Sequence, residues 1–177
     1  GLGGVYKRQG MYNAKRRRVG VAADEGAPEC PPPMLIQTLG ETRDATLGPE
    51  EFRRGVTAQR KYNGVRLVAF SPRPGEVTLY SRTSRPYPGL KQIVGELARM
   101  LARAPPSGAG PPYLDGELYL HGQTLNWISG QARSAEDEGL LEYHVFDVFF
   151  PALPEGERMP SRARQEYLAA FFAAAGA

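Results

Sequence analysis

Val65–Phe70 is apolar at every position except Arg66, and no other stretch constrains the fold as much. A strand with one apolar face can lie at a surface. A strand apolar on both faces belongs between neighbours in a sheet, covered above and below. The segment therefore predicts a central strand. Immediately before it stands Gln59-Arg60-Lys61-Tyr62-Asn63-Gly64. Asn-Gly is a strong short-range turn signal because both residues tolerate positive φ. By itself this stretch reads as a β-hairpin carrying a solvated lysine and arginine.

The rest of the chain supplies partners for that strand. Arg73-Pro74-Gly75 predicts a turn, and residues 77–82 a returning strand with Val77, Leu79 and Ser81 on one face. Leu90, Ile93, Val94, Leu97 and Leu101 recur at helical spacing, so residues 89–104 predict a helix that Pro105-Pro106 ends. Residues 113–121 alternate as a strand. Leu114, Leu118 and Leu120 share one face, and Asp115 and Glu117 share the other with Tyr113 and Tyr119. A short helix over 124–133 would use Leu125, Ile128 and Trp127. Residues 140–150 predict an aromatic-rich strand. Ser161 is the expected cap of a last helix whose apolar face is Leu168, Phe171 and Phe172. The class is α+β, with mixed, largely antiparallel sheets and flanking helices.

Residues 1–33 are rich in Gly, Arg, Ala and Pro and read as a basic, flexible N-terminal segment and linker, with order expected over 34–177. The net charge is only +3, but Lys7, Arg8, Lys15, Arg16, Arg17 and Arg18 crowd this segment. A basic arm of that kind suits a phosphate backbone, a localisation signal or plain solvent. One cysteine, Cys30, excludes an intrachain disulfide framework. Cys30, His121 and His144 lack metal-ligand spacing, and residues 1–4 are not a phosphate loop, since no Walker lysine follows. Without a long apolar run or a signal peptide, the expectation is an intracellular protein, not secreted.

Four fragments in order carry a resemblance: the run Lys61-Tyr62-Asn63-Gly64-Val65-Arg66, then Leu79-Tyr80-Ser81-Arg82, then Tyr113-Leu114-Asp115-Gly116-Glu117-Leu118, then Tyr143-His144-Val145-Phe146-Asp147-Val148-Phe149. Together, over roughly residues 33–170, they resemble the ATP-dependent DNA ligases. Those enzymes belong to the covalent nucleotidyltransferases, with RNA ligases and mRNA capping enzymes. Pro33-Met34-Leu35-Ile36 looks like the segment just upstream of the nucleophile in that family. The resemblance implies an ATP-grasp-like nucleotidyltransferase (adenylation) domain, incomplete here.

It also implies roles. Lys61 matches the nucleophile that attacks the α-phosphorus of ATP to give a lysyl-adenylate. The AMP then passes to the 5′-phosphate of a nick in double-stranded DNA, and a 3′-hydroxyl displaces it. A lysine suits this chemistry because neighbouring cations such as Arg60 and Arg66, or burial, can lower its pKa, which is not possible for arginine. Gln59 matches the residue that reads the adenine edge, for which an amide has both donor and acceptor. Arg66 matches the arginine that closes the nucleophile motif and holds the nucleotide or the nick 5′-phosphate, and Arg82 matches the arginine of the next motif, which contacts ribose or phosphate. Glu117 matches the carboxylate near the ribose, and a hard carboxylate can hold Mg²⁺. Phe146 matches the aromatic that stacks on adenine. The resemblance implies ATP and Mg²⁺ as cofactors, nicked double-stranded DNA or else RNA as the partner, a monomer without membrane contact, and a location in the nucleus or another DNA-containing compartment.

Two departures keep other readings open. Asn63 stands where the family has Asp, removing an anion beside Lys61, and variation there suits an RNA ligase. Downstream, Glu155-Gly156 lacks the apolar strand of the family's next motif, and no lysine follows Lys91. The expectation is the first two-thirds of an adenylation domain, unable to seal a nick alone within a parent protein that can. A capping guanylyltransferase would use the same lysine with GTP. A non-catalytic nucleic-acid-binding protein with a degenerate fold is the reading outside enzymes.

Overall fold

The structure, a computed structural model, describes residues 30–31, 33, 48–53, 55, 57–136, 139–154 and 158–176. The basic N-terminal segment, the boundary at 33/34, most of Pro33-Met34-Leu35-Ile36 and the pair Glu155-Gly156 lie outside the described residues. The chain divides into two units, residues 1–28 with 34–61 and residues 29–33 with 62–177. In the first, the described part is a helix, α1 (Pro49–Arg53), and the segment leading to Lys61. Sequence reading assigns no helix there, since a helix of one turn shows no apolar periodicity.

The second unit is built on a four-stranded antiparallel sheet. Its strands are β1 (Val65–Phe70), β2 (Thr78–Ser81), β3 (Tyr113–Tyr119) and β4 (Glu142–Phe149), in the order β2-β1-β3-β4. The apolar run of β1 is thus an interior strand, with Leu67 opposite Ser81 on one side and Gly116 on the other. Period two then sorts its residues. Leu67 and Ala69 enter the main core with Leu79, Leu114 and Leu118. Val68 and Phe70 join a smaller cluster on the opposite face with Cys30 and Tyr80, edged by Tyr113 and Phe149. Burial pushes the Cys30 thiol up to about 12, so it stays protonated and inert at neutral pH.

Three helices cover the main-core face: α2 (Lys91–Leu101), α3 (Leu125–Arg133) and α4 (Ser161–Ala175). They contribute Ile93 and Leu97, Ile128 and Ala132, and Leu168 and Phe171. The expected 89–104 helix starts two residues late, because Leu90 is buried with a left-handed φ of 63°. Thr124 caps α3 by accepting the Trp127 N–H at 3.3 Å. Leu125, assigned by periodicity to the inner face of α3, is 42 % exposed. Ser161 is not a cap. It is the first residue of α4, and Pro160 occupies the cap position without a side-chain bond.

β3 and β4 do not pair evenly. Asp115 lies opposite Asp147, but its neighbour Gly116 lies opposite Val145, so β4 carries one extra residue, Phe146. This bulge lets Val145 and Val148, three apart, both reach the helix-covered core. A Cβ at Gly116 would collide with the His144 carbonyl oxygen and approach the Tyr143 ring to 2.6 Å. The Tyr143 ring instead passes over the glycine, and its hydroxyl lies 2.9 Å from the Leu114 carbonyl and 3.2 Å from that of Leu67. No helix among the described residues is long and apolar enough to cross a membrane.

Candidate active site

Arg66 is the one charged residue in an otherwise apolar central strand, and it lies on the face away from the helices. Its register partner on β3 is Glu117, whose own partner on β4 is His144. One row across the sheet therefore carries an arginine, a carboxylate and an imidazole. An arginine this enclosed needs a counter-ion, and Asp115 supplies it. Arg66 Nε and Nη2 donate to the two carboxylate oxygens, each at 2.5 Å. The guanidinium carbon also lies 4.7 Å from the centre of the Phe146 ring, in cation–π range.

The Asp115 side chain is nearly inaccessible. Burial pushes its carboxyl up, to about 6, against the hydrogen bonds and charge of Arg66, while Asp147 adds to the upward shift. The charge of Arg66 is therefore matched by a bidentate carboxylate, so Arg66 is not a source of net positive charge. Period two along the strand places Asp115 on the face of Glu117 and does not name its partner. The signal for its partnership is the arginine itself, since a cation in a strand apolar on both faces requires an acid on the adjoining strand.

Asp147 is buried and held by α4, where Arg164 Nε and Nη2 donate to it at 2.8 and 3.0 Å. Sequence reading misses this pair. Arg164 stands four and seven residues before Leu168 and Phe171, on their stripe, and a charge at such a position signals a buried acid.

The segment from Tyr62 to Gly64 is fastened to β3 and β4. The Tyr62 ring lies 4.2 Å from that of His144 and 5.1 Å from that of Tyr119. His144 Nε2 lies 2.7 Å from Glu142 Oε2, which orients the imidazole. The Gly64 N–H donates to Glu117 Oε1 at 3.2 Å. A Cβ at Gly64 would strike the Leu118 carbonyl oxygen and come within 2.8 Å of Glu117 Cγ. Residues 63 and 64 form a bend and no hairpin, and the φ of Gly64 is not positive. The glycine is required for close approach to β3, which corrects the turn reading of Asn-Gly. His144, read from sequence as an ordinary residue without metal-ligand spacing, is one of three rings in mutual contact with Tyr62 and Tyr119.

Arg66, Glu117 and Phe146 are thus brought together on one face. Arg82 is exposed in the turn after β2 that the Ser84 N–H closes on the Ser81 carbonyl at 2.9 Å, one residue past Ser81, which pairs with Leu67 next to Arg66. Gln59, half-buried, and Lys61, exposed, belong to the other unit. Among the described residues no group of three or more His, Cys, Asp or Glu side chains forms a metal cage. A single carboxylate, Glu117, fits a cation carried mainly by nucleotide phosphates, since Mg²⁺ commonly takes one or two protein carboxylates together with phosphate oxygens.

Residues 33–176 match the family profile described as ATP dependent DNA ligase domain. The chain belongs to this family. The DNA ligases of African swine fever virus isolates Pretoriuskop Pr4 and Malawi Lil 20-1 are 38% and 37% identical over 144 residues, 80% of this chain and 31% of each relative. The chain therefore spans about a third of the length of these relatives. Among solved structures, the one titled "Pmar-Lig_PreS3" superposes with a TM-score of 0.50 at 20% identity, over 64% of this chain and 26% of that one. At that identity the likeness concerns the fold, and it agrees with the α+β architecture described above.

Proposed function

We propose that this chain is the first part of the adenylation domain, over residues 34–177, of an ATP-dependent DNA ligase acting as a monomer on nicked duplex DNA. The observation that carries the reading is the convergence of Arg66, Glu117 and Phe146 on one face of the sheet, in a chain whose family is that of the ligases. A guanidinium, a carboxylate and an aromatic ring are the complement of a nucleotide's phosphate, ribose and base.

In this reading the Lys61 amine attacks the α-phosphorus of ATP. An N–P bond forms, the bond to the bridging oxygen of pyrophosphate breaks, and the amine loses its proton. The AMP is passed to the 5′-phosphate at the nick, and the 3′-hydroxyl then displaces it. Phosphoryl transfers of this kind depend chiefly on positioning and charge neutralisation. Gln59 reads the adenine edge and Phe146 stacks on the base. Arg66, held in a fixed plane by Asp115, orients the nucleotide or the 5′-phosphate of the nick, and Arg82 contacts ribose or phosphate. Glu117 bonds the ribose and is the carboxylate that would hold Mg²⁺, which when bound supplies charge neutralisation on the phosphates. The compartment is one that contains DNA.

The test is incubation of the full-length protein carrying this chain with α-labelled ATP and Mg²⁺, beside Lys61→Ala and with labelled GTP. Acid-labile label on the denatured protein from ATP, absent from the alanine variant, is the expected result. A folded protein that takes no label sinks the reading. Asn63 is the feature that favours an RNA ligase instead, and nicked RNA offered beside nicked DNA separates the two.

A further inference from the structure

Strict alternation along β4 puts Val145, Asp147 and Phe149 on one face and Phe146, Val148 and Phe150 on the other. The structure breaks that phase at the bulge. Val145, Val148 and Phe150 all pack with the helix-covered core, while Phe146 is released from it and meets Arg66 on the opposite side. A slip of one residue would send the ring back toward the helices, because register decides face. Among the described residues β4 is an edge strand, so no further described strand pairs with the bulge on its outer side.

α4 pins it instead. Gln165 Nε2 donates to the Phe146 carbonyl oxygen at 2.9 Å. The preceding residue, Arg164, bonds both oxygens of Asp147 and donates from Nη1 to the Met159 carbonyl at 2.8 Å. Two consecutive helix residues thus grip two consecutive bulge residues. Arg164 is buried and its bonds hold the core together, whereas Gln165 is half-buried and touches the strand at the carbonyl of Phe146.

We infer that Gln165 is a positioning residue for the nucleotide base, acting through the Phe146 backbone to keep that ring turned toward the ligand. This rests on the reading of Phe146 given under the proposed function. A stacking ring binds the nucleotide equally in ground and transition states, so loosening it raises KM and leaves kcat in place.

The experiment measures self-labelling of the full-length protein against ATP concentration. Gln165→Leu, which removes the donor and keeps the length, raises the KM for ATP about three- to tenfold with kcat within about twofold, the size of one aromatic contact. Gln165→Lys, which restores a donor, returns KM toward wild type. In a Phe146→Leu background Gln165→Leu adds nothing, because the contact it protects is already gone. An unchanged KM in Gln165→Leu, with a raised KM in Phe146→Leu, overturns the inference alone. So does a Gln165→Leu effect that persists in full in the Phe146→Leu background. If Phe146→Leu leaves KM unchanged, the base-stacking reading fails and takes the inference with it. If wild type takes no label, the ligase reading itself fails.

Discussion

Arg66 and Asp115 are joined by two hydrogen bonds across neighbouring strands, and the same guanidinium lies over the ring of Phe146. The pair fixes the plane of the arginine from one side while the ring bounds it from another. A side chain with high rotamer entropy is thereby ordered before any ligand arrives, which lowers the cost of binding.

The pair has a pH signature. The Asp115 carboxyl is raised from an ordinary 3.8 to about 6, mainly by burial. Between those values the folded chain holds more protons than the unfolded one, so this group's contribution to stability falls as pH rises. The contribution is fully present below 3.8 and is lost through about 6. In urea unfolding from pH 4 to 7, the stability of wild type minus that of Asp115→Asn should decrease as pH rises, since asparagine does not titrate. A difference that increases over that range would mean that Arg66 wins over desolvation and the carboxyl is lowered.

Asp147 and Arg164 form a second buried pair, each side chain below a tenth exposed. Removing one partner strands the other in the core, so Arg164→Met should cost about 3–5 kcal/mol in chemical denaturation. Replacing both partners with apolar residues should recover most of that, because the penalty comes from the unpaired charge. A double variant as unstable as the single one would place the loss in the geometry of the bulge instead.

The strands and helices of the second unit follow from periodicities readable in the chain, because each has a face buried in one continuous core. The bulge is not readable in this way. Tyr143 to Phe150 offers apolar residues in either phase, and only the partner strand, with Gly116 under the Tyr143 ring, decides which residue is extra. Arg66, Glu117 and Phe146 are legible through motif order. Their linkage to Asp115, Asp147 and Arg164 depends on strand register and helix placement that no local pattern encodes. Asn63-Gly64 misleads for a related reason. Glycine serves turns and close approaches alike, and the approach here is to a strand 53 positions later.

The demand for glycine at position 116 can be measured. Its missing Cβ makes room for the His144 backbone and the Tyr143 ring, so Gly116→Ala forces both to move. Overpacking of this kind costs about 1–3 kcal/mol, and the backbone contact puts the expected value at the upper end. Pairing Gly116→Ala with Tyr143→Leu separates the two obstacles, since the smaller side chain relieves the ring contact and leaves the carbonyl clash. Stability should then recover only in part. Full recovery would show that the ring alone demands glycine.

Tyr62 is the residue next to Lys61, and its ring is packed on His144 and Tyr119. Each aromatic contact is worth about 0.5–1.5 kcal/mol, so Tyr62→Ala should destabilise the second unit only modestly. Its effect on the proposed chemistry should be larger, because it releases the chain one peptide bond from the nucleophile, and small misplacements of reacting groups cost up to about a hundredfold in rate. Self-labelling from ATP should slow by about tenfold or more in Tyr62→Ala, with Tyr62→Phe restoring most of the rate because the ring is retained. His144→Ala removes a second of the three rings and should slow labelling in the same sense. A normal rate in Tyr62→Ala would mean that the stack orders β3 and β4 without setting the reactivity of Lys61.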